Sequence, residues 1–388
     1  MKHLYTVLLL FFVFCAKSQT FFVEQSTIVG ITTNSILCIE GSAVNKGTFI
    51  NNGTVELTND WENRFTYVDP GGTFILKGDV SQLVNHNNQA FNNLIVSGGG
   101  EKILQSDATI FGKLDLINGL VTPELGKILL VDELGSVSSG STFSYVNGAL
   151  YHTGTGYRYY PIGKNNVFCP VELLNTTGDK PILGMEAFSP HNNPVPGLGV
   201  GQISEVRYWK MYKLSGTYSG SPITLTVADD ELLTDLDSMV VVQGRAEGQP
   251  MMSIGSQNFA SNFIKKGVTS HENGTGTIFS LGYRREASED ELFIPKALCP
   301  FDANIENRVI KVYGRVLSAD GFKFRIYNTW GSLVFETSSL DEMQRKGWTG
   351  VNQKTGNVEE IGYFTYVLKG KLVNGKRVQL SGPILMVK

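Results

Sequence analysis

Gly47-Thr48-Phe49-Ile50-Asn51-Asn52-Gly53-Thr54-Val55-Glu56-Leu57 is the stretch that decides the fold. Apolar and polar residues alternate on both sides of Asn51-Asn52-Gly53, so two short strands each turn one set of side chains inward. Asn and Gly tolerate positive φ, which makes the segment between the strands a corner. Gly72-Thr73-Phe74-Ile75 repeats the opening of the stretch. Leu94-Ile95-Val96, Ile103-Leu104, Lys113-Leu114-Asp115-Leu116 and Ile128-Leu129-Leu130-Val131 continue the series, with Asn118-Gly119 as a further corner. Residues 19–148 are therefore expected to form an irregular, open β-solenoid or a small stacked β-sheet. The repeat is weak, and a plain β-sandwich is the alternative.

The texture changes after that region. Residues 149–283 carry dense aromatics at Tyr157-Arg158-Tyr159-Tyr160 and Arg207-Tyr208-Trp209. Ile223-Thr224-Leu225-Thr226-Val227 alternates cleanly, Asp229-Asp230-Glu231 reads as a hairpin turn, and Met239-Val240-Val241-Val242 follows. Short strands separated by turn signals predict an antiparallel β-sandwich. Residues 189–201 hold three prolines with Gly and Asn and read as a long loop. Arg284-Arg285-Glu286 and Glu289-Asp290-Glu291 read as a solvated linker.

The N-terminus reads as a signal peptide over residues 1–18. Lys2 and His3 give a basic start, residues 4–14 are an apolar run too short to span a bilayer, and Ala16-Lys17-Ser18 supplies a cleavage site. Phe12-Val13-Phe14 before Cys15 lacks the small residues of a lipobox. The mature chain is expected to start near Gln19, without a membrane span. Of the four cysteines, Cys38, Cys169 and Cys299 remain, far apart and without CxxC spacing. That argues against a zinc site or a disulfide framework and for three small buried residues. A formal net charge of −3, with 18% charged residues in a chain of 388, gives no electrostatic reason to expect nucleic acid or an anionic membrane.

In residues 284–388 the strands are easy to place. Lys323-Phe324-Arg325-Ile326-Tyr327 alternates, and Leu333-Val334-Phe335-Glu336 follows a break. Tyr363-Phe364-Thr365-Tyr366-Val367-Leu368 is a third strand, Asn374-Gly375 marks a hairpin before Val378-Gln379-Leu380, and Ile384-Leu385-Met386-Val387 is a last strand. Trp330-Gly331 and Gly347-Trp348-Thr349-Gly350 each put a large ring beside a residue free to reverse the chain, which predicts both indoles in the core.

These pieces, in this order, resemble the gliding-motility-associated C-terminal domain family, the type B sorting domain of type IX secretion in Bacteroidetes. The matching residues are Phe293-Ile294-Pro295-Lys296-Ala297-Leu298 with Pro300, then Ile326-Tyr327-Asn328-Thr329-Trp330-Gly331, Val334-Phe335-Glu336 and Gly347-Trp348-Thr349-Gly350. Gly362-Tyr363-Phe364-Thr365-Tyr366 and Ser381-Gly382-Pro383-Ile384-Leu385 complete the set. The resemblance implies a small Ig-like β-sandwich that serves as a sorting domain, read by the outer-membrane translocon with a PorP/SprF-type outer-membrane barrel. It implies export across both membranes to the cell surface or medium. Its motif residues would be Pro295, Pro300, Asn328, Trp330, Gly331, Gly347, Trp348, Gly350, Gly362 and Tyr363. One departure is plain: the family's Thr-Pro-Asn-Gly-Asp-Gly stretch is replaced by Cys299-Pro300-Phe301-Asp302-Ala303-Asn304, so Asp302, Asn304 and Glu306 do not make a calcium site.

The whole is expected to be an all-β, non-catalytic surface protein: an adhesin, an adhesin accessory or a structural component, with a large adhesin or a glycan as its partner. No cofactor or metal is expected. The rival is a secreted carbohydrate-active enzyme or glycan-binding protein with the same sorting domain. Its carboxylates would be Asp60 with Glu62 beside Trp61, or Asp229, Asp230 and Glu231. His86, His152, His191 and His271 are isolated in sequence and read as surface residues. No GxSxG, HExxH, P-loop or dinucleotide fingerprint occurs.

Overall fold

The computed structural model describes residues 20–388 except Ser139, Leu198, Leu233, Thr234, Phe259, Ala260, Asn262, Glu286, Ala287, Arg315 and Asn374. The expected leader lies outside the described residues. The chain is 49% strand and 4% helix. It divides into two compact units, one drawn from Met1–Ala187, Lys210–Gly220 and Asn262–Lys265, the other from Phe188–Trp209, Ser221–Ser261 and Lys266–Lys388.

The first unit opens with a β-solenoid of about 7 turns. One face stacks Phe21–Val23, Ala43–Asn45, Trp61–Asn63, Gln82–Asn85, Glu101–Leu104 and Leu120–Pro123. A second stacks Ile36–Ile39, Thr54–Leu57, Thr73–Leu76, Asn93–Val96, Lys113–Leu116 and Ser136–Val137. The third runs through Ile28–Ile31, Thr48–Asn51 and Thr66–Val68, then resumes at Ala90–Phe91, Ala108–Ile110 and Leu129–Val131. Every pairing is parallel, with partners displaced by 18 to 23 residues. That excludes the plain sandwich, which would need antiparallel neighbours. Where the third face breaks, the Gln89 amide fills the ladder: Tyr67 N donates to its Oε1, and its Nε2 donates to the Phe65 carbonyl.

The alternation read in the sequence is the inward set. Phe49, Tyr67 and Phe74 meet Trp61 in the lumen, with Trp61 and Phe74 centroids 5.0 Å apart, and Phe91 packs on Phe74. Burying each ring contributes about 2–3 kcal/mol. Polar residues at one corner form a column instead. Asn45 Nδ2 donates to Asn63 Oδ1 at 2.8 Å, Asn63 Nδ2 to the His86 carbonyl, and His86 N to Ser106 Oγ at 2.8 Å. Corner carbonyls and amides thus find partners inside the coil. Lys102 is also fully buried, its Nζ donating to the Gly78 and Gly99 carbonyls, and burial pushes its pKa down to about 8.

Gly47, Gly53 and Gly72 are needed for space rather than for positive φ, whereas Gly119 takes φ +119°. A Cβ on Gly53 would lie 2.4 Å from the Ser35 carbonyl oxygen and 2.5 Å from that of Thr32, both backbone. Gly53→Ala is therefore expected to destabilise the solenoid by about 1–3 kcal/mol. A chemical denaturation midpoint equal to that of the parent would refute the packing argument.

The third face does not stop with the solenoid. Leu129–Val131 pairs in parallel with Leu150–Thr153, which pairs antiparallel with Ile182–Phe188. Gly156–Tyr160 and Val171–Thr176 form a further antiparallel pair.

In the second unit Ile278–Arg284 lies between Met239–Gly244 and Val200–Ile203, antiparallel to both, and Ile223–Thr226 pairs antiparallel with Gly267–Thr269. The expected loop over residues 189–201 is not all loop. Val195–Pro196 adds in parallel to Pro250–Ser253, and Val200 already belongs to a strand. The expected linker is short: the strand reaches Arg284, and Ser288 caps a 3-10 turn at Glu289–Glu291. A five-stranded sheet follows, in the order Ala297–Leu298, Arg377–Met386, Gly362–Lys371, Lys323–Tyr327, Leu333–Thr337. Its core holds Leu298, Ile310, Phe324, Ile326, Trp348, Phe364 and Ile384. The segments 378–380 and 384–387, expected as two strands, are one strand, Arg377–Met386. Tyr366 lies against Gly382 across the hairpin, where a Cβ would come within 2.9 Å of its ring.

Candidate functional site

The motif residues of the C-terminal region fall into a corner cluster, a hairpin tip and a strand start. Gly347 and Gly350 have φ of +66° and +83° and bracket Trp348, which is 1% exposed. Trp348 exchanges backbone bonds with Ile310, donates Nε1 to the Val351 carbonyl at 2.9 Å and sets its ring edge against Phe364 at 5.1 Å. A Cβ on Gly350 would touch Pro300, Leu298 and Met386, so Gly350 and Pro300 pack at the same corner. Pro295 is half-buried just ahead of Ala297–Leu298.

The hairpin tip differs from expectation. Asn328 Oδ1 accepts from Trp330 N and Ser332 N, and Gly331 at φ +74° completes the reversal. These bonds build the turn without the indole, and Trp330 is 88% exposed. It is not a core residue. Gly362 opens the strand Gly362–Lys371 opposite Met386, and Tyr363, 61% exposed, points outward from it.

The rival catalytic carboxylates are engaged elsewhere. Asp60 Oδ1 accepts from Leu83 N at 2.8 Å, Glu62 forms a bidentate pair with Arg64, and Trp61 is 1% exposed in the lumen. The three do not line one cleft, and Trp61 offers no sugar platform. Asp229 and Asp230 lie on a turn, but not the expected hairpin, because Ile223–Thr226 and Met239–Gly244 on either side belong to different sheets, and Glu231 is buried. Ser204 Oγ donates to its Oε1 at 2.7 Å, while the buried Arg207 pairs with Asp230 and lies 3.9 Å from Glu231. Arg207 thus ties the turn at Asp230 to the buried Glu231, while Asp229 and Asp230 stay exposed on the turn.

Three histidines expected at the surface are buried: His86, His152 and His191. Trp61 Nε1 donates to His86 Nδ1 at 2.9 Å, which puts the imidazole proton on Nε2, among rings. His86 stacks on Phe91 at 3.6 Å, and burial pushes its pKa down to about 3. Burial, with the Arg158 charge, does the same to His152, whose Nε2 faces the Tyr159 carbonyl. His271 is exposed. It shares a cavity of about 470 Å³ with Ser253, Ser256, Glu272 and Arg284. Cys38 is exposed, against expectation, Cys169 is buried and Cys299 half-buried, and none of the three is in a disulfide.

Asp302 accepts from Asn304 N and Asn307 Nδ2, which holds its carboxyl below the usual range. Among the described residues no group of three His, Cys, Asp or Glu could hold a metal, and no helix is long and apolar enough to cross a membrane. Sequence reading missed the basic residues Lys369, Lys371 and Arg377 on the outward face of the C-terminal sheet; their alternation on either side of the turn expected at Asn374-Gly375, where Asn374 lies outside the described residues, was the available signal. No protein-family model matches the chain, and no curated protein matches it.

Proposed function

We propose that this chain is an exported, non-catalytic surface protein whose residues 284–388 are a folded address label for type IX secretion. In this reading residues 1–18 direct passage across the inner membrane. The solenoid and a β-sandwich over 149–283 present binding surfaces as an adhesin, adhesin accessory or structural component. The C-terminal region is an Ig-like sandwich recognised by the outer-membrane translocon and a PorP/SprF-type barrel.

The observation that supports it most is that residues 294–386 enclose a hydrophobic cluster of their own within the second unit, with Trp348 buried in it between Gly347 and Gly350. A label read after folding needs a fold that stands by itself. The engaged carboxylates around Trp61 and Arg207 favour binding over bond making.

The test is localisation in a type IX-secreting host. Deleting residues 284–388 is expected to leave the product in the periplasm, and fusing them to a periplasmic reporter is expected to carry it outside. Normal surface delivery of the truncated chain would remove the assignment.

A further inference from the structure

The outward face of the C-terminal sheet is divided along its strands. At one end, Lys323 stands opposite Lys369, and Lys371 opposite Arg377. Like charges directly opposite on neighbouring strands destabilise a sheet. Two such pairs side by side are a cost that folding alone gives no reason to keep. Arg325 lies one pair further along the same face. Glu336 answers Lys323 and Arg325, and Asp320 answers Lys371, but Lys369 and Arg377 have no ion-pair partner among the described residues. A cavity of about 330 Å³ opens between Gly321, Lys369, Lys371 and Arg377. The chain as a whole has 33 basic and 36 acidic residues, so this concentration does not follow from composition.

The same face continues with different chemistry. Gln379 stands opposite Lys369; next come the exposed Ser381 and Thr365 hydroxyls, opposite Val367 and Pro383. Then come the rings of Tyr327 and Tyr363. From Tyr363 to Lys371 the strand runs about 27 Å. The edge of the sheet at Leu333–Thr337 is closed to an added peptide strand, because Gln353 already occupies it. Glu336 N donates to Gln353 Oε1 at 2.7 Å, and Gln353 Nε2 donates to the Glu336 carbonyl at 3.1 Å. The ligand this arrangement suits lies across the face, not along the edge.

Cations, hydroxyls and an amide, and aromatic rings in one line match one class of polymer. Acid groups pair with Lys and Arg, hydroxyls exchange hydrogen bonds, and the apolar faces of sugar rings stack on aromatics. We propose that this face binds an acidic polysaccharide, with its carboxylate or sulfate groups seated at Lys369, Lys371 and Arg377 and its sugar rings reaching Tyr363. The inference is independent of how the chain is exported.

The test is binding of the purified chain to dextran sulfate and polygalacturonate, with neutral dextran and poly-glutamate as comparison polymers. Both acidic polysaccharides are expected to bind, weakening as sodium chloride is raised, and neutral dextran is not. Replacing Lys369 and Arg377 together by Gln is expected to weaken binding about tenfold or more, with a melting temperature equal to or above that of the parent, since both like-charge pairs are relieved. Tyr363→Ala is expected to weaken polygalacturonate binding several-fold. Replacing Lys127 and Lys265 by Gln removes the same charge elsewhere and is expected to change nothing. Failure of both acidic polysaccharides to bind, an equal loss in the Lys127 and Lys265 variant, or poly-glutamate binding as tightly as polygalacturonate would each overturn the proposal.

Discussion

Trp348→Ala is expected to lower the stability of the C-terminal core by about 3–5 kcal/mol, whereas Trp330→Ala is expected to change it by less than about 0.5 kcal/mol. The two residues sit in similar sequence, each beside a glycine at positive φ, and differ entirely in surroundings. Removing the Trp348 indole empties the space against Phe364 and leaves the Val351 carbonyl without its donor. Removing the Trp330 indole takes away a ring that is 88% exposed, and the Asn328 bonds that form the turn remain. Hydrogen exchange of the amides in Gly362–Lys371 would read both effects. Equal losses of protection would mean that the Trp330 ring is packed after all. Because Trp330→Ala keeps the fold, any loss of surface delivery in that variant would report recognition and not unfolding.

Acidification is expected to destabilise the first unit, where two imidazoles are held neutral by burial, more than the second, where burial lowers the pKa of His191. His86 and His152 are both buried there, with pKa values of about 3 against 6.5 for a free imidazole. Between those values the unfolded chain binds protons that the folded chain refuses. The contribution of the two neutral imidazoles is therefore fully present above pH 6.5 and is lost progressively as pH falls towards 3. Each pH unit in that window removes about 1.4 kcal/mol per imidazole, so the pair contributes several kcal/mol at neutral pH. Denaturant midpoints followed from neutral pH down to pH 4 should fall steadily, and the fall should shrink when His152 is replaced by Gln. A flat profile across that range would contradict the burial of these rings.

The solenoid was legible because its strands obey a strict inward and outward alternation, as in Thr54-Val55-Glu56-Leu57, and because Asn and Gly mark the corners. What was not legible was the coil length. Strands of three or four residues with displacements varying from 18 to 23 give no fixed period, so a sandwich could not be excluded from pattern alone. The buried histidines were missed because an isolated imidazole reads as polar. The signal was positional: His86 continues the corner column of Asn45 and Asn63, visible only once the register is known. For Trp330 the sequence showed a corner but not which side of it the ring takes; Asn328, by closing the turn through the backbone, leaves the indole outside. Glu231 and Arg207 are separated by more than twenty residues, and their meeting depends on tertiary packing that no local pattern carries.

The continuation of the third face into Leu150–Thr153 gives the coil stack a direction of wear. Each coil is held only by the coils beside it. A protease or a pulling force working inward from Phe21–Val23 meets strands paired on one side among the described residues, and can peel them singly. From the other end it meets a strand clamped between Leu129–Val131 and Ile182–Phe188. Among the described residues, unravelling is easier to begin at the first coil than at the last.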